Sequence, residues 1–350
     1  MQARSSSRFV TATNTTAGKQ SSDAFSPTAC HTANCRISFP SNKLQAIRPF
    51  DEAAVRELIM SSDAELRARL YLLRVAEPPA PALQQYVAVH GPVETVAQIR
   101  SGTAPATVLG ESSRSDVDID DDLDIIDRGE ARLLTPEHDD WPFGRLSGLT
   151  ARGAPLTLWL KGNGSLADLT KRAVTVTGSR AASAYGQSVA EEFGNGFARA
   201  AITVVSCGSY GIGSAAIRGA LAAGGRAVVV LANGVDLPNP RAHADLYRAV
   251  IDSGGLVVSE YPFGAAPTRH RFHARCRLLA ALTGATVVVE AGRRSGSLAV
   301  AGMANELGRR TYGVPGSIYS VSSQGVHELL RAGDATVATS VEHIAFVDGL

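Results

Sequence analysis

The chain has 350 residues, 45% hydrophobic and 19% charged, which is enough apolar material for one large or two modest domains. A net charge of +1 excludes binding to nucleic acid through the whole surface. Four cysteines without a paired motif argue for a reducing cytoplasm over a disulfide-stapled fold, and no uninterrupted apolar run approaches the roughly 18 residues of a membrane span.

Residues 1–48 are rich in Ser, Thr, Ala and Asn, lack an apolar run of signal-peptide length, and are expected to form a disordered tail. Cys30 and Cys35 lie in this tail and are weak evidence for a metal. A small helical module is expected over 49–110. Val55, Leu58, Ile59, Leu66, Leu70 and Leu73 recur at helical spacing between Asp51 and Arg74, and Glu77-Pro78-Pro79-Ala80-Pro81 ends the pattern. Shorter helices follow over Ala82–His90 and Val93–Arg100, separated by Gly91-Pro92. Residues 111–150 read as an acidic linker and lead-in. Asp116 to Asp127 lacks the glycine and terminal glutamate of a calcium loop and is taken as solvated or partner-facing.

From 151 to 350 the pattern changes to short apolar runs, each followed by small polar residues and a helix-length interval. The runs are Ala173–Thr177, Ala201–Ser206, Ala227–Leu231, Gly255–Ser259 and Ala285–Val289, with helices expected at Tyr185–Ala200, Ala215–Ala223 and His243–Ser253. This alternation predicts an α/β fold, an extended Rossmann-like, doubly wound and mostly parallel sheet. Loops at the carboxyl ends of such strands line one crevice. Residues 151–350 carry 19 Lys and Arg against 13 Asp and Glu, so the basic charge gathers in this half.

The first of these loops has the chemistry of a phosphate site. Gly178 lets the backbone approach an anion, Ser179 offers a hydroxyl, Arg180 offers a planar charged fork, and a helix beginning near Ala184 directs its free N–H groups there. The second turn, Cys207 to Ser214, leads into another helix on the same side.

The ordered set of Gly178-Ser179-Arg180, Ser183, Gly211-Ile212, Gly234-Val235-Asp236, Ser259-Glu260, Phe272 with Arg275 and Arg277, Ser295-Gly296-Ser297 and Val314-Pro315-Gly316 resembles the DNA-processing protein A (DprA/Smf) family. The matches keep order and spacing from about Trp159 to Gly333, and Leu134–Pro142 is similar to the segment the family places before its Rossmann-like domain. The resemblance implies a protein that binds single-stranded DNA without cleaving it and helps load a RecA-type recombinase, typically in natural transformation. It implies a cytoplasmic homodimer with no cofactor, no metal and no membrane partner. The DNA or phosphate contacts it carries over are Gly178, Ser179, Arg180, Ser183, Gly211, Arg269, Phe272, Arg275, Arg277, Ser295, Gly296 and Ser297. An aromatic ring among arginines also suits single strands physically, since bases stack on the ring while cations follow the backbone. Because the family is bacterial, the basic, Ser-rich opening is read as an over-extended start in preference to a transit peptide. The winged-helix module that many members append is not expected after Ser340–Ala345.

Several positions depart from the pattern. The family usually reads Gly-Leu-Ala-Arg-Gly-Ile-Asp after the strand and His four residues later; this chain has Cys207, Gly208, Ser209, Tyr210, Gly211, Ile212 and Gly213, then Ile217. Two polar residues expected to face the pocket are thereby lost, and Cys276 replaces an Asn. These changes mark a diverged member and keep open a nucleotide-binding Rossmann-like protein as the alternative. An enzyme like the lysine-decarboxylase-like phosphoribohydrolases is the other alternative, but Val300 stands where their glycine-rich loop carries the catalytic glutamate, and valine transfers no proton.

Overall fold

Prolines and glycines bound the short helices of the N-terminal region. The computed structural model describes residues 52–114 and 117–348, and the tail expected over 1–48 lies outside them. Five helices come first: α1 (Glu52–Val75), α2 (Pro81–His90), α3 (Pro92–Ser101), α4 (Ala106–Glu111) and α5 (Asp120–Asp127). Prolines at the first helical position open α2 and α3, where the missing N–H costs nothing. Leu72, Leu83, Val87 and Val108 pack together beneath them.

Helix α5 differs from the solvated segment expected there. Its Asp122 is fully buried and accepts from Arg74 Nη2 at 2.7 Å, while Ile125 packs with Leu70 and Leu73. The interleaved isoleucines supply an apolar face, and Arg74 satisfies the one carboxylate that this face carries inward.

The remaining elements are β1 (Arg132–Leu134), α6 (Phe143–Leu146), β2 (Leu158–Lys161), α7 (Leu166–Lys171), β3 (Ala173–Thr177), α8 (Ala184–Arg199), β4 (Thr203–Ser206), α9 (Ile212–Ala222), β5 (Ala227–Val230), α10 (Ala244–Asp252), β6 (Leu256–Ser259), α11 (Arg269–Ala281), β7 (Ala285–Val288), α12 (Gly296–Glu306), β8 (Arg310–Gly313), α13 (Gln324–Ala332), β9 (Thr336–Val337) and α14 (Val341–Asp348). The strands form one nine-stranded sheet in the order β1-β2-β6-β5-β4-β3-β7-β8-β9. Pairing is parallel except at the β1 edge, where β1 with β2 and β2 with β6 run antiparallel.

Alternate residues of the central strands serve the two layers. Val174, Val176 and Val204 pack with Phe193, Phe197 and Ala216 of α8 and α9, whereas Val205 joins Leu278 and Leu279 of α11 on the opposite face. Thr175 is buried on that second face and donates its hydroxyl to Leu279 O at 2.7 Å. Burial on both sides explains why these strands read as continuous apolar runs. From β3 the chain advances outward through β4, β5 and β6, then returns to the other side of β3 with β7 and β8. The reversal between β3 and β7 opens a crevice at the carboxyl ends of both strands. Among the described residues, no helix is long and apolar enough to cross a membrane.

Candidate functional site

The loops that leave β3, β4 and β7 meet one side of α11 around a cavity of about 630 Å³ at this reversal. Four guanidinium groups line it, from Arg180, Arg275, Arg293 and Arg294, and among the described residues no carboxylate does. Phe272 is half-buried between two of them, with Arg180 Cζ 5.4 Å and Arg275 Cζ 5.3 Å from its ring centroid. Arg293 is paired with Glu328 at 2.8 Å. Arg275 has only a long bond from Nη1 to Val230 O, 3.4 Å, and its buried Nε finds no partner among the described residues. Much of its donor capacity is therefore open to a ligand.

The turn after β3 is built by close approach. A Cβ on Gly178 would lie 2.7 Å from Ile212 Cγ1 and 2.8 Å from Glu290 O, so glycine is required there. The Ser179 N–H donates to Glu290 O at 2.7 Å and its carbonyl accepts from Ile212 N–H at 3.1 Å. The backbone of Ser179 is thus committed to the fold. Across the cavity α12 begins, with Ser295 as its N-cap and the Ser295 and Ser297 hydroxyls 2.5 Å apart. The positive end of this eleven-residue helix faces the same space as the arginines.

Of the residues expected at the site, Gly178, Ser179, Arg180, Phe272, Arg275, Ser295, Gly296 and Ser297 line this cavity, and four do not. Gly211, at φ +72°, supports the turn from behind, where a Cβ would collide with the Ser179 and Arg180 carbonyl oxygens. Ser183 lies on the far side of the turn: its N–H donates to Glu290 Oε2 at 2.9 Å and its hydroxyl to Glu290 Oε1 at 2.6 Å. The buried Glu290 carboxylate therefore occupies the amino end of α8, and the helix expected to offer its N–H groups to a ligand instead holds the protein's own anion. Arg269 is exposed at the start of α11, outside the cavity lining. Arg277 is buried, donating to Glu260 Oε2 at 2.6 Å and to Gly153 O at 2.9 Å.

Sequence reasoning did not single out Arg293, Arg294, Ser209 or Gln324, all of which line the cavity. Two consecutive arginines between a strand end and Ser-Gly-Ser were the available signal for the first two. Among the described residues, no group of three or more His, Cys, Asp and Glu could hold a metal ion.

A family model, DNA recombination-mediator protein A, matches residues 132–347. The chain belongs to this family. It is 42% identical over 296 residues to the Mycobacterium tuberculosis DNA processing protein DprA, covering 81% of this chain and 76% of that one. It is 37% identical over 192 residues to the DNA processing protein DprA of Streptococcus pneumoniae, covering 55% of this chain and 67% of that one. The solved structure of the S. pneumoniae protein superposes with a TM-score of 0.65 at 29% identity, over 81% of this chain and 97% of that one. A DNA processing protein A from Helicobacter pylori, solved for its single-stranded DNA binding mode, shares the fold with a TM-score of 0.54 at 22% identity, over 62% of this chain and 95% of that one.

Within the family frame, the departures separate into two kinds. Cys207 and Cys276 line the cavity, and a Cβ on Gly213 would point at Ser206 Oγ, 2.9 Å away, and toward Ser209 Oγ and Cys207 Sγ. Ile217, expected to mark a polar group lost from the pocket, is instead fully buried with Leu70, Trp159 and Val229. An isoleucine there fills core. The two thiols also differ electrostatically. Burial alone would raise the Cys207 thiol, but the Arg275 charge and the Ser209 hydroxyl, 3.2 Å from the sulfur, hold it below its ordinary value. Cys276 is pushed up, chiefly by burial.

Helix α11 is fixed from the N-terminal helices. Arg271, next to Phe272, donates from Nε and Nη2 to the two Glu77 oxygens at 2.7 and 2.8 Å, and His270 Nε2 lies 2.9 Å from Pro78 O. Burial would raise the Glu77 carboxyl, yet the Arg271 and Arg114 guanidiniums hold it below the usual carboxylate range. A carboxyl depressed in the folded state contributes stability that is present above its unfolded value, about 4.3, and is lost as pH falls through the folded value. Glu77→Gln should therefore lower stability at pH 7 by roughly 1 kcal/mol, since the pair is part-exposed. The difference from the parent should close as the pH falls below about 4. Thermal melts of both proteins across pH check this, and a difference that is constant into acid would contradict it.

Proposed function

We propose that the cavity binds the backbone of single-stranded DNA, with bases stacked against Phe272, and that the protein is a non-catalytic recombination mediator. The observation that carries this reading is a cavity lined by four arginines and, among the described residues, by no carboxylate, with two of the four flanking an aromatic ring. Phosphate oxygens suit the open donors of Arg275 and Arg180 and the amino end of α12, while a single strand, unlike a duplex, can turn its bases onto the ring. The H. pylori protein of the same fold binds single-stranded DNA. Family membership supports delivery of the strand to a RecA-type recombinase, in the cytoplasm and as a homodimer.

Two placements weigh against nucleoside hydrolysis. Val300 lines the cavity where that chemistry needs a glutamate, and the Glu290 carboxylate is turned to Ser183. The test is binding of labelled single-stranded and double-stranded oligonucleotides of equal length over a salt series, with free mononucleotide as competitor. Preference for the single strand with affinity falling as salt rises is expected. Equal affinity for duplex, or displacement by micromolar mononucleotide, would replace this reading with nucleotide binding.

A further inference from the structure

We infer that Cys207 and Cys276 are a peroxide-sensitive dithiol in the wall of the arginine cavity, and that joining them as a disulfide closes the site to DNA; the second half rests on the single-strand reading above. Both thiols line the cavity, and neither is joined to another cysteine in the structure. They come from surfaces that face each other. Cys207 continues the alternation of β4, so it shares with Val205 the face of the sheet that α11 covers, and Cys276 sits on the buried side of α11 in the same apolar cluster. Among the described residues these are the only cysteines, and Cys30 and Cys35 lie outside them.

The two sulfurs differ in the way a stepwise oxidation needs. Burial opposes ionisation of Cys207, but the Arg275 charge and the Ser209 hydroxyl, 3.2 Å from Sγ, hold its thiol below the ordinary value and favour the nucleophilic thiolate. Cys276, pushed up chiefly by burial, stays a thiol and donates to Phe272 O at 3.3 Å. Hydrogen peroxide entering the cavity supplies the oxidant. The Cys207 thiolate attacks one peroxide oxygen; an S–O bond forms as the O–O bond breaks, and the departing hydroxide takes up the proton lost by the thiol to become water. The Cys276 sulfur then attacks the sulfenic sulfur of Cys207; the S–S bond forms, the S–O bond breaks, and a second water leaves with the Cys276 proton. Two thiols are oxidised to one disulfide while one peroxide is reduced to two waters. Because Cys276 follows Arg275 directly and lies one turn beyond Phe272, the bond pins that stretch of α11 to the end of β4 and narrows the space the strand enters.

The experiment uses the full chain carrying Cys30→Ser and Cys35→Ser, so that only the cavity thiols remain, and compares each protein with itself before and after hydrogen peroxide. Peptide mass spectrometry without reductant should show the Cys207 and Cys276 peptides joined. Affinity for a poly(dT) strand should fall by roughly tenfold or more, the worth of one charge-assisted contact, and return with dithiothreitol. Adding Cys276→Ser should stop the oxidation at a sulfenic acid on Cys207, trapped as a dimedone adduct. Adding Cys207→Ser should abolish both the adduct and the peroxide-dependent loss of affinity. Absence of the joined peptide from the oxidised protein, or a dimedone adduct confined to Cys276, would overturn the dithiol. A joined peptide with unchanged or tighter binding would overturn closure of the site while leaving the single-strand reading intact. Failure of the reduced protein to bind poly(dT) would overturn the single-strand reading and closure with it, and the joined peptide would still decide the dithiol.

Discussion

Arg275→Ala is expected to weaken single-stranded DNA binding by roughly ten- to a hundredfold, the range set by about 1.5–3 kcal/mol for a hydrogen bond to a charged group. Little in the fold depends on this guanidinium. Among the described residues its one protein bond, to Val230 O, is 3.4 Å long, its Nε has no partner, and no carboxylate pairs with it. A cation left this free contributes little to stability, and a large share of what it can offer is realised only when a phosphate arrives. Removing it also takes away one of the two charges flanking Phe272. Affinity should fall for all sequences alike, and the slope of log affinity against log salt should flatten by about 0.7, one single-strand phosphate contact. Anisotropy titrations across salt, paired with thermal melts, separate the two effects. A variant that melts with the parent and binds as tightly would remove the cavity from the DNA path.

Two residues further along the same helix, Arg277→Ala should do the opposite. Arg277 and Glu260 are 3% and 2% exposed, and their side chains meet in a two-pronged pair whose longer contact is 2.6 Å. Arg277 Nε also satisfies Gly153 O, tying α11 to the segment before β2. Truncation leaves the Glu260 carboxylate buried without its countercharge, a loss of about 3–5 kcal/mol. That is a large fraction of the stability of an ordinary domain. Denaturant midpoints should show a strongly destabilised protein, with binding reduced only through the unfolded fraction. Replacing both partners, Glu260→Leu with Arg277→Met, should recover much of the loss because no charge is then stranded. A stable Arg277→Ala variant with selectively lost binding would mean that the pair opens to admit DNA.

The contrast between these two arginines shows how far the sequence could be read. The β3, β4, β5, β6 and β7 runs were legible because both faces of each strand are buried, which leaves an unbroken apolar signature. The turn at Gly178 was legible because its chemistry is local. Helix α11 was not expected as a helix. Arg271 and Arg277 occupy its buried side, neutralised by Glu77 and Glu260 from distant segments, so its sequence, Arg-His-Arg-Phe-His-Ala-Arg-Cys-Arg, carries no amphipathic stripe. The same non-locality hid the fate of Ser183 and the amino end of α8, which depend on a carboxylate 107 residues away. Strands β1, β8 and β9 have only two to four residues, and β8 and β9 carry exposed positions, too little pattern to register.

The path of the strand is tested most directly by photo-crosslinking an iodouracil-substituted single strand to the protein and locating the joined residue by peptide mass spectrometry. Crosslinks are expected at Phe272, the one aromatic ring in the cavity lining among the described residues, and they should disappear in Arg180→Ala/Arg275→Ala at a salt concentration where the parent is saturated. Crosslinks confined to the N-terminal helices, or unchanged in that double variant, would contradict the assignment of the arginine cavity as the DNA site.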